Sequence, residues 1–393
     1  MPTAPSPQVL PQGADEPPSL ATRVLRWALL LALLFGFLVA IELMSKAIQL
    51  LAGSGLSGAK GSGYLADVHN PFAGLAMGVL FTVLLQSSST TTATIVAVVG
   101  GGALSVQDAV PMIMGANIGT TITNTIVSLG SLRRRTEFRR AFAAATVHDF
   151  FNLLSVLILL PLELSTRFLS RTAAELSSHF KGAGGGEFHS PIKGAIKTVY
   201  KGVLHLGESA GLSGKPLAIA ALVVGIALTF ASLYFITRTM RLLLAGRIEA
   251  AMNRALDTSG FVPLLIGLAL TVAVQSSSIT TSMLVPLCAS GVLSLGHAFP
   301  IVLGANLGTT ATALLASAAQ ERPEALTIAF VHLLFNVSGI LIFYPIPAMR
   351  RLPLGLAVGL ATLADRSRLW VLAYVVGVFI LLPALGWFIW HTR

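Results

Sequence analysis

Two short polar motifs, each embedded in apolar sequence, are the parts of this chain best suited to holding ions. QSSS occurs at residues 86–89 and 275–278, and GANxGTT occurs at 115–121 and 304–310. Backbone carbonyls freed at a helix break can coordinate Na⁺, and helix-start N–H groups with Ser, Thr and Asn side chains can hold an oxyanion. Neither motif contains Lys or Arg, so a bound anion needs cations to offset its charge. Sodium ions are the obvious candidates.

The two motif pairs belong to a duplicated segment. Residues 86–121 align without a gap to 275–310 at an offset of 189, and 18 of the 36 positions are identical. The likeness continues at an offset of 184, which pairs His148 with His332 and Asn152 with Asn336. Apolar composition alone does not produce such identity, so the sequence predicts two copies of one unit.

The composition assigns these copies to a lipid bilayer. Of 393 residues 54% are apolar and 11% charged, and the mean hydropathy is +0.80. Runs at 27–44, 142–162, 216–236 and 369–387 approach the ~20 apolar residues that a spanning helix needs. The net charge of +10 lies in short segments between apolar runs, as expected of cytoplasmic loops, so nucleic acid is not a predicted partner.

Basic residues predict opposite orientations for the two copies. The segment after the first GANxGTT contains five arginines between 133 and 140, whereas its counterpart at 320–324 contains two Glu and one Arg. The first connection is therefore predicted to be cytoplasmic and the second extracytoplasmic. Inverted repeats of this kind are the architecture of many secondary transporters, with the substrate near the midplane between them.

Each QSSS lies between apolar pieces too short to cross a bilayer alone, at 72–85 and 93–99 in the first copy and 261–274 and 283–287 in the second. A re-entrant hairpin that faces the substrate path fits this pattern, because polar backbone facing lipid is costly. The glycines of GANxGTT each cost ~1 kcal/mol in a helix interior, which predicts a discontinuous helix. The expected fold is an all-α polytopic membrane protein with two inverted repeats.

For other polar residues the sequence gives weaker support for a functional role. His148 and Asn152 share a helix face and could gate the path, as could His332 and Asn336, but hydrogen bonds between helices explain them as well. Asp149 is a further candidate for gating or support, or bonds only to neighbouring polar groups, and it has no counterpart in the second copy, where Leu333 stands. Cys288 is the only cysteine, which excludes an intramolecular disulfide and a Cys-rich metal site. No cofactor is predicted.

The predicted organisation has seven parts. They are a disordered tail (1–22), a first transmembrane helix (23–47), repeat 1 (71–163), an extracytoplasmic link (164–215), a transmembrane helix with a basic cytoplasmic loop (216–258), repeat 2 (259–345) and C-terminal helices (346–393). Both termini are expected in the cytoplasm. Residues 352–364 are short for a span, and whether they cross is left open.

The paired QSSS segments, GANIGTTITNTIVSLG (115–130) and EFRRAFAAATVHDFFNLLSVLILLPLE (137–163) resemble the type II sodium/phosphate cotransporter family. The resemblance covers about residues 71–345 except the central link. It implies that the QSSS segments, with nearby Thr and Asn residues, form the phosphate and sodium site. The phosphate residues would be Gln86, Ser87, Ser88, Ser89, Asn117, Gln275, Ser276, Ser277, Ser278 and Asn306. The sodium residues would be Gln86, Ser88, Thr90, Thr91, Thr120, Thr121, Gln275, Ser277, Thr280, Thr281, Thr309 and Thr310.

The chain departs from the animal members of that family in two places. Their large extracellular link carries a disulfide, which one cysteine cannot form, so a bacterial inner-membrane protein is expected. The electrogenic members have an Asp shortly before EFRRAF, where this chain reads Leu132-Arg133-Arg134-Arg135. The number of sodium ions per cycle is therefore left open. Residue spacing also leaves open the preferred phosphate species and the oligomeric state.

The resemblance implies a carrier, not an enzyme, that imports inorganic phosphate with Na⁺ by exposing a central site alternately to each side. Two other hypotheses stay open from the residues. Neutral hydroxyl and amide donors also suit a sodium-coupled carboxylate carrier, and a membrane scaffold or sensor would use the repeats only for packing.

Overall fold

The computed structural model describes residues 19–51, 70–182, 191–256, 258, 260–381 and 383–384. These residues are helical apart from short connections, and no β-strand occurs among them, which confirms the all-α prediction. In chain order the helices are α1 (Leu20–Leu51), α2 (Pro71–Leu85), α3 (Ser88–Gly100), α4 (Val106–Gly119), α5 (Ile122–Ser128), α6 (Arg135–Thr166), α7 (Phe168–Gly182), α8 (Pro191–Ser209), α9 (Gly214–Leu256), α10 (Phe261–Val274), α11 (Ser277–Ser290), α12 (Leu295–Gly308), α13 (Thr310–Ala318), α14 (Pro323–Phe343), α15 (Pro347–Arg366) and α16 (Leu369–Val376). A 3₁₀ turn (Leu129–Ser131) follows α5, and a π-helical segment (Gly377–Leu381) continues α16.

Five helical stretches among the described residues are long and apolar enough to cross a membrane. They are Leu20–Leu51, Arg135–Thr166, Gly214–Leu244, Leu295–Ala318 and Pro323–Phe343. The first three contain the runs predicted at 27–44, 142–162 and 216–236. The run at 369–387 is helical as far as Leu381, and most of its remainder lies outside the described residues. Helix α15, which covers 352–364, is not among the five.

Two predicted boundaries are wrong. Residues 20–22 belong to α1 and not to a disordered tail, because the Ser19 side chain accepts a hydrogen bond from the Thr22 N–H and starts the helix (3.2 Å). Residues 1–18 lie outside the described part. The basic segment after 236 is helical up to Leu256 and not a loop, since it contains good helix formers and no proline. Its residues Ile248, Met252 and Ala255 are buried.

The glycines of the repeats allow two helix pairs to touch through their backbones. Helix α2 runs beside α4, and α10 runs beside α12 in the same way. A Cβ atom at any of four glycines would overlap a carbonyl oxygen of the facing helix. The contacts join Gly78 to Met112, Gly115 to Leu75, Gly267 to Ile301 and Gly304 to Leu264. The first glycine of each GANxGTT is thus needed for close approach, a reason that the sequence analysis did not foresee.

A short irregularity follows the second glycine of each motif, where Thr120 and Thr309 keep helical backbone angles, so the discontinuous helix stays a prediction. Helix α4 ends at Gly119 and α5 begins at Ile122, while α12 and α13 are separated only by Thr309. Because α2 and α4 run in parallel and a short turn joins α3 to the start of α4, α3 must return antiparallel to α2. Its course in a membrane stays a prediction.

The two copies interlock. Helix α3 packs on α13, and its counterpart α11 packs on α5. Beyond the predicted repeats, α7 packs on α14 of the other copy, and α15 packs on α6. Helix α1 lies along α9, with Gly225 of α9 against Ala40 and Met44 of α1. The correspondence of contacts therefore extends over α1–α7 and α9–α15, further than the sequence identity.

Candidate functional site

Each QSSS segment breaks a helix in the same way. Gln86 (φ 52°) and Gln275 (φ 57°) adopt the left-handed conformation that ends α2 and α10. Ser87 and Ser276 are extended, and α3 and α11 begin at the next residue. A left-handed residue other than glycine costs roughly 1–2 kcal/mol, so the surroundings must hold both glutamines in place.

The glutamine side chains stabilise these breaks. Gln86 Nε2 donates to the Val83 carbonyl and Gln275 Nε2 to the Val272 carbonyl, both at 2.6 Å. The Oε1 atoms accept from threonines beyond GANxGTT, at 3.3 Å from Thr123 and 3.0 Å from Thr312. Each QSSS break is therefore bonded to the region after the irregularity in the GANxGTT helix of its own copy.

Both breaks line one cavity of about 400 Å³, with α9 as a further wall. The predicted site residues in its lining are Gln86, Ser87, Ser88, Ser89, Thr90, Gln275, Ser276, Ser277 and Ser278. Helix α9 contributes an aromatic ring and a cation, Tyr234 and Arg241. The structure thus brings together the two motifs, 189 residues apart in the chain, and adds a positive charge that neither motif contains.

The N-termini of α3 and α11 meet at this cavity. The first N–H groups of a helix have no partner within it, and the helix dipole favours an anion there. Ser87 caps α3, because its hydroxyl accepts from the Thr90 N–H (3.2 Å) and the Thr90 hydroxyl (2.9 Å). Ser276 makes no such bond, and Ile279 stands where Thr90 stands in the first copy. Two helix starts and an arginine can together bind an oxyanion.

The other predicted sodium ligands do not line the cavity. Five of their hydroxyls donate to backbone carbonyls three or four residues earlier, which is the usual alternative for a buried threonine. These residues are Thr91, Thr120, Thr121, Thr309 and Thr310. Thr280 accepts from Thr271 (3.0 Å), and Thr281 is hydrogen-bonded to Asn124 of the other copy (2.8 Å).

The predicted asparagines form a separate cluster. Asn306 Nδ2 donates to Asn152 Oδ1 (2.9 Å) and Asn336 Oδ1 (2.7 Å), and Asn152 Nδ2 donates to the Asn117 carbonyl (2.8 Å). His332 Nε2 lies 3.4 Å from Asn117 Oδ1. All five residues are at most 2% exposed and none lines the cavity. Here Asn117 and Asn306 join helices of both copies, so their prediction as phosphate ligands gains no support.

The remaining candidates are buried on α6. Asp149 Oδ2 accepts a hydrogen bond from Tyr374 (2.6 Å), which ties α6 to α16. Neither ring nitrogen of His148 has a hydrogen-bond partner among the described residues. Neither residue lines the QSSS cavity.

Comparison with known proteins agrees with the motifs. The sequence pattern of the Na⁺/Pi-cotransporter family matches residues 36–204 and 228–364. The chain belongs to the Na⁺/Pi-cotransporter family. Among its relatives is sodium-dependent phosphate transport protein 2A of Rattus norvegicus, 33% identical over 95% of this chain and 69% of the relative. Sodium-dependent phosphate transport protein 2B of Homo sapiens is 33% identical over 91% of this chain and 64% of the relative. No solved structure matches.

Membership confirms the resemblance that the motifs suggested. With five apolar helices of spanning length among its described residues, this Na⁺/Pi cotransporter family member is a multi-pass membrane protein.

Sequence reasoning missed four residues beside the motifs. Thr123 and Thr312 lie at the same offset of 189 and could have been found by extending the alignment past residue 121. Asn124 has no polar counterpart, since Ala313 stands in the second copy. Arg241 had no signal, because only packing brings α9 to the QSSS segments of this family member.

Proposed function

We propose that this protein imports inorganic phosphate together with Na⁺ by alternating access, with both ions bound where the two copies meet. The observation that carries this proposal is the convergence of both QSSS breaks, two helix N-termini and Arg241 on one cavity. The names of its relatives, sodium-dependent phosphate transport proteins, support the substrate and the coupling ion. The proposal involves no covalent chemistry and no cofactor other than Na⁺ as the coupling ion.

Charge balance supports the role of sodium. Arg241 is the one Lys or Arg in the described cavity lining, and phosphate at neutral pH carries between one and two negative charges. Sodium ions bound beside phosphate would offset the remainder in a site of low dielectric. The proposed sodium ligands are the oxygens of Gln86, Ser88, Gln275 and Ser277, with the nearby threonine hydroxyls after rotation away from their helix carbonyls.

Contacts between helix ends support the inverted arrangement. Arg322, before α14, lies against Gly102 in the turn before α4, and Arg140, early in α6, lies against Gly291 in the turn before α12. The starts of α4 and α12 are therefore each level with the segment that follows the GANxGTT region of the other copy, as expected of antiparallel copies.

Two further contacts concern the orientation of the chain in the membrane. Arg26 donates to the Leu242 carbonyl, so the start of α1 is level with the basic end of α9. This supports a cytoplasmic N-terminus and, since Arg241 lines the cavity, an inward-facing state. The cytoplasmic C-terminus stays a prediction, but Arg368 lies beside Leu132, which argues for the opposite side if α16 crosses. A bacterial inner membrane is proposed from the single cysteine.

Uptake of radiolabelled phosphate into proteoliposomes tests the proposal. An inward Na⁺ gradient should drive uptake, and an equal K⁺ gradient should not. Gln86→Ala and Gln275→Ala should each reduce uptake at least about tenfold, because each loses two hydrogen bonds that stabilise a break, worth about 0.5–1.5 kcal/mol each. Ser290→Ala, at the other end of α11, is the matched control and should transport normally. Folded protein without uptake would disprove the function.

Competition separates the rival functions. Arsenate should inhibit phosphate uptake and dicarboxylates should not; the reverse result would favour a carboxylate carrier. Normal uptake in both glutamine variants would exclude the proposed site, and no uptake of either anion would favour a scaffold or sensor.

Arg241→Gln tests the charge at the cavity. We expect a phosphate KM about 3- to 10-fold higher, because the effective interaction of one arginine with an anion near a protein surface is about 1 kcal/mol or more. Arg238→Gln, an exposed position on the same helix outside the cavity lining, is the control. An unchanged KM in Arg241→Gln would exclude the arginine from phosphate binding.

A further inference from the structure

A second cavity lies at the far end of α3, away from QSSS. It measures about 650 Å³ and is enclosed by the turn between α3 and α4, by α7 and by the start of α14. The lining contains three arginines, Arg167, Arg171 and Arg322, and one carboxylate, Glu324. The 13 residues of α3 place this cavity about 20 Å from the QSSS break.

The backbone places the arginines around the cavity. Glu163 accepts a hydrogen bond from the Leu169 N–H (2.6 Å) and so ties the end of α6 to the start of α7. Arg167 lies between these helices and Arg171 one turn later. On the facing wall, the guanidinium of Arg322 lies against Gly102, where it would overlap a Cβ atom; the φ of 79° at this residue also favours glycine. The equivalent corner of the second copy repeats this contact between Gly291 and Arg140, so it is a property of the repeat.

Several donors in the cavity lack partners. Among the described residues, Arg167 and Arg171 form no ion pair, whereas Arg322 lies 3.5 Å from Glu324. Ser177 is 2% exposed, and its hydroxyl has no hydrogen-bond partner although it lines the cavity. Ser105, the N-cap of the 14-residue α4, is also in the lining, but its hydroxyl already donates to Asp108 Oδ2 (2.6 Å). A buried hydroxyl without a partner is unfavourable, and a bound oxyanion would accept its hydrogen bond.

The charge of this region runs against the usual membrane pattern. Residues 164–215 contain seven Lys or Arg and three Glu, a net charge of +4, although this link is predicted to be extracytoplasmic. Positive charge outside opposes the positive-inside rule. A negatively charged ligand bound by Arg167 and Arg171, the two basic residues of the link that line the cavity, would offset part of this charge.

We propose that the cavity formed by Arg167, Arg171, Arg322 and Ser177 is a second site for a phosphate-class oxyanion, separate from the QSSS cavity. Planar guanidinium groups suit such oxygens, and their charge is independent of pH in the physiological range. The ligand is either free phosphate or the phosphate of a lipid headgroup. Its effect on uptake rests on the proposed function, whereas binding itself does not.

Equilibrium dialysis with radiolabelled phosphate tests binding without transport. The full-length Gln86→Ala/Gln275→Ala variant is used in sodium-free buffer of low ionic strength, so that the central site contributes nothing. We expect one phosphate per chain, with affinity reduced at least tenfold by adding Arg167→Gln/Arg171→Gln. Adding Lys201→Gln/Lys215→Gln instead removes the same charge from exposed positions of the same link and should change nothing. Equal phosphate binding by the arginine variant and the lysine variant, both shown to be folded by circular dichroism, would overturn the proposal.

A second arm distinguishes the two sources. If the ligand is free phosphate, Arg167→Gln/Arg171→Gln in phosphatidylcholine liposomes raises the external phosphate KM several-fold and leaves kcat unchanged. If it is a lipid headgroup, native mass spectrometry shows phosphatidylglycerol retained by the unmodified chain and lost from the double variant, and phosphatidylglycerol competes in the dialysis. If neither phosphate nor phosphatidylglycerol binds to the arginines, the proposed site is excluded. The dialysis measures phosphate binding even in a protein that does not transport, so the two proposals are tested separately.

Discussion

The two QSSS breaks have the same backbone and different side-chain bonds. Both glutamines are left-handed, and both donate to the carbonyl three residues earlier at 2.6 Å. Yet the Ser87 hydroxyl accepts a hydrogen bond from the Thr90 N–H, while the Ser276 side chain makes no capping hydrogen bond. The duplicated motif thus preserves the shape of the break, whereas the second helix start is more open to a ligand. We infer that the copies share the fold of the site but contribute unequally to binding.

The largest effect should be the same in both copies. Gly115→Ala and Gly304→Ala each place a methyl group against a carbonyl of the facing helix, so each should lower the free energy of unfolding by about 1–3 kcal/mol. Thermal unfolding in detergent measures this. Gly130→Ala, with open space at its Cβ, is the control. A change confined to one copy would contradict the equivalence of the two helix pairs.

A second pair of variants separates the backbone of the break from its side chain. Glycine adopts φ near 55° without strain, so Gln86→Gly and Gln275→Gly should be more stable than the alanine variants by about 1 kcal/mol. Both kinds should lose uptake, since neither keeps the bonds to Thr123 or Thr312. Thermal unfolding and uptake on the same preparations decide this, and transport by a glycine variant would show that the amide is dispensable.

A smaller effect should distinguish the copies. Ser87→Ala removes an existing cap and should cost about 1 kcal/mol of stability, while Ser276→Ala should leave stability unchanged without phosphate. Conversely, Ser276→Ala should raise the phosphate KM more than Ser87→Ala does. Thermal unfolding without phosphate and concentration-dependent uptake test the two halves of this statement. Equal losses of stability would mean that the capping difference is unimportant.

The sequence was informative where a pattern is local or repeated. The gapless offset of 189 located both QSSS breaks. A left-handed glutamine followed by an extended serine is a local conformation, so the same short motif produces it in both copies. Arg241 could not be found, since its place beside QSSS results from packing of α9 against helices distant in the chain. Asn117 shows a different limit: an amide in a motif suggests a ligand, whereas its hydrogen bonds to Asn152 and Asn336 depend on the fold and cannot be read from the sequence. The basic end of α9 was taken for a loop, because charge indicates membrane side and not backbone conformation.

The interlocking of the copies has a consequence for biogenesis. Helices α7 and α15 each pack on the last long helix of the other copy, and α3 and α11 each pack against the opposite α13 or α5. Until the second half is synthesised, the first would expose to lipid the amides and hydroxyls that it later buries, at a substantial free-energy cost. Each half is therefore a folding template for the other. Two fragments divided between α7 and α8 and synthesised together should assemble, as the two subunits of a dimer do, whereas either fragment alone should be degraded.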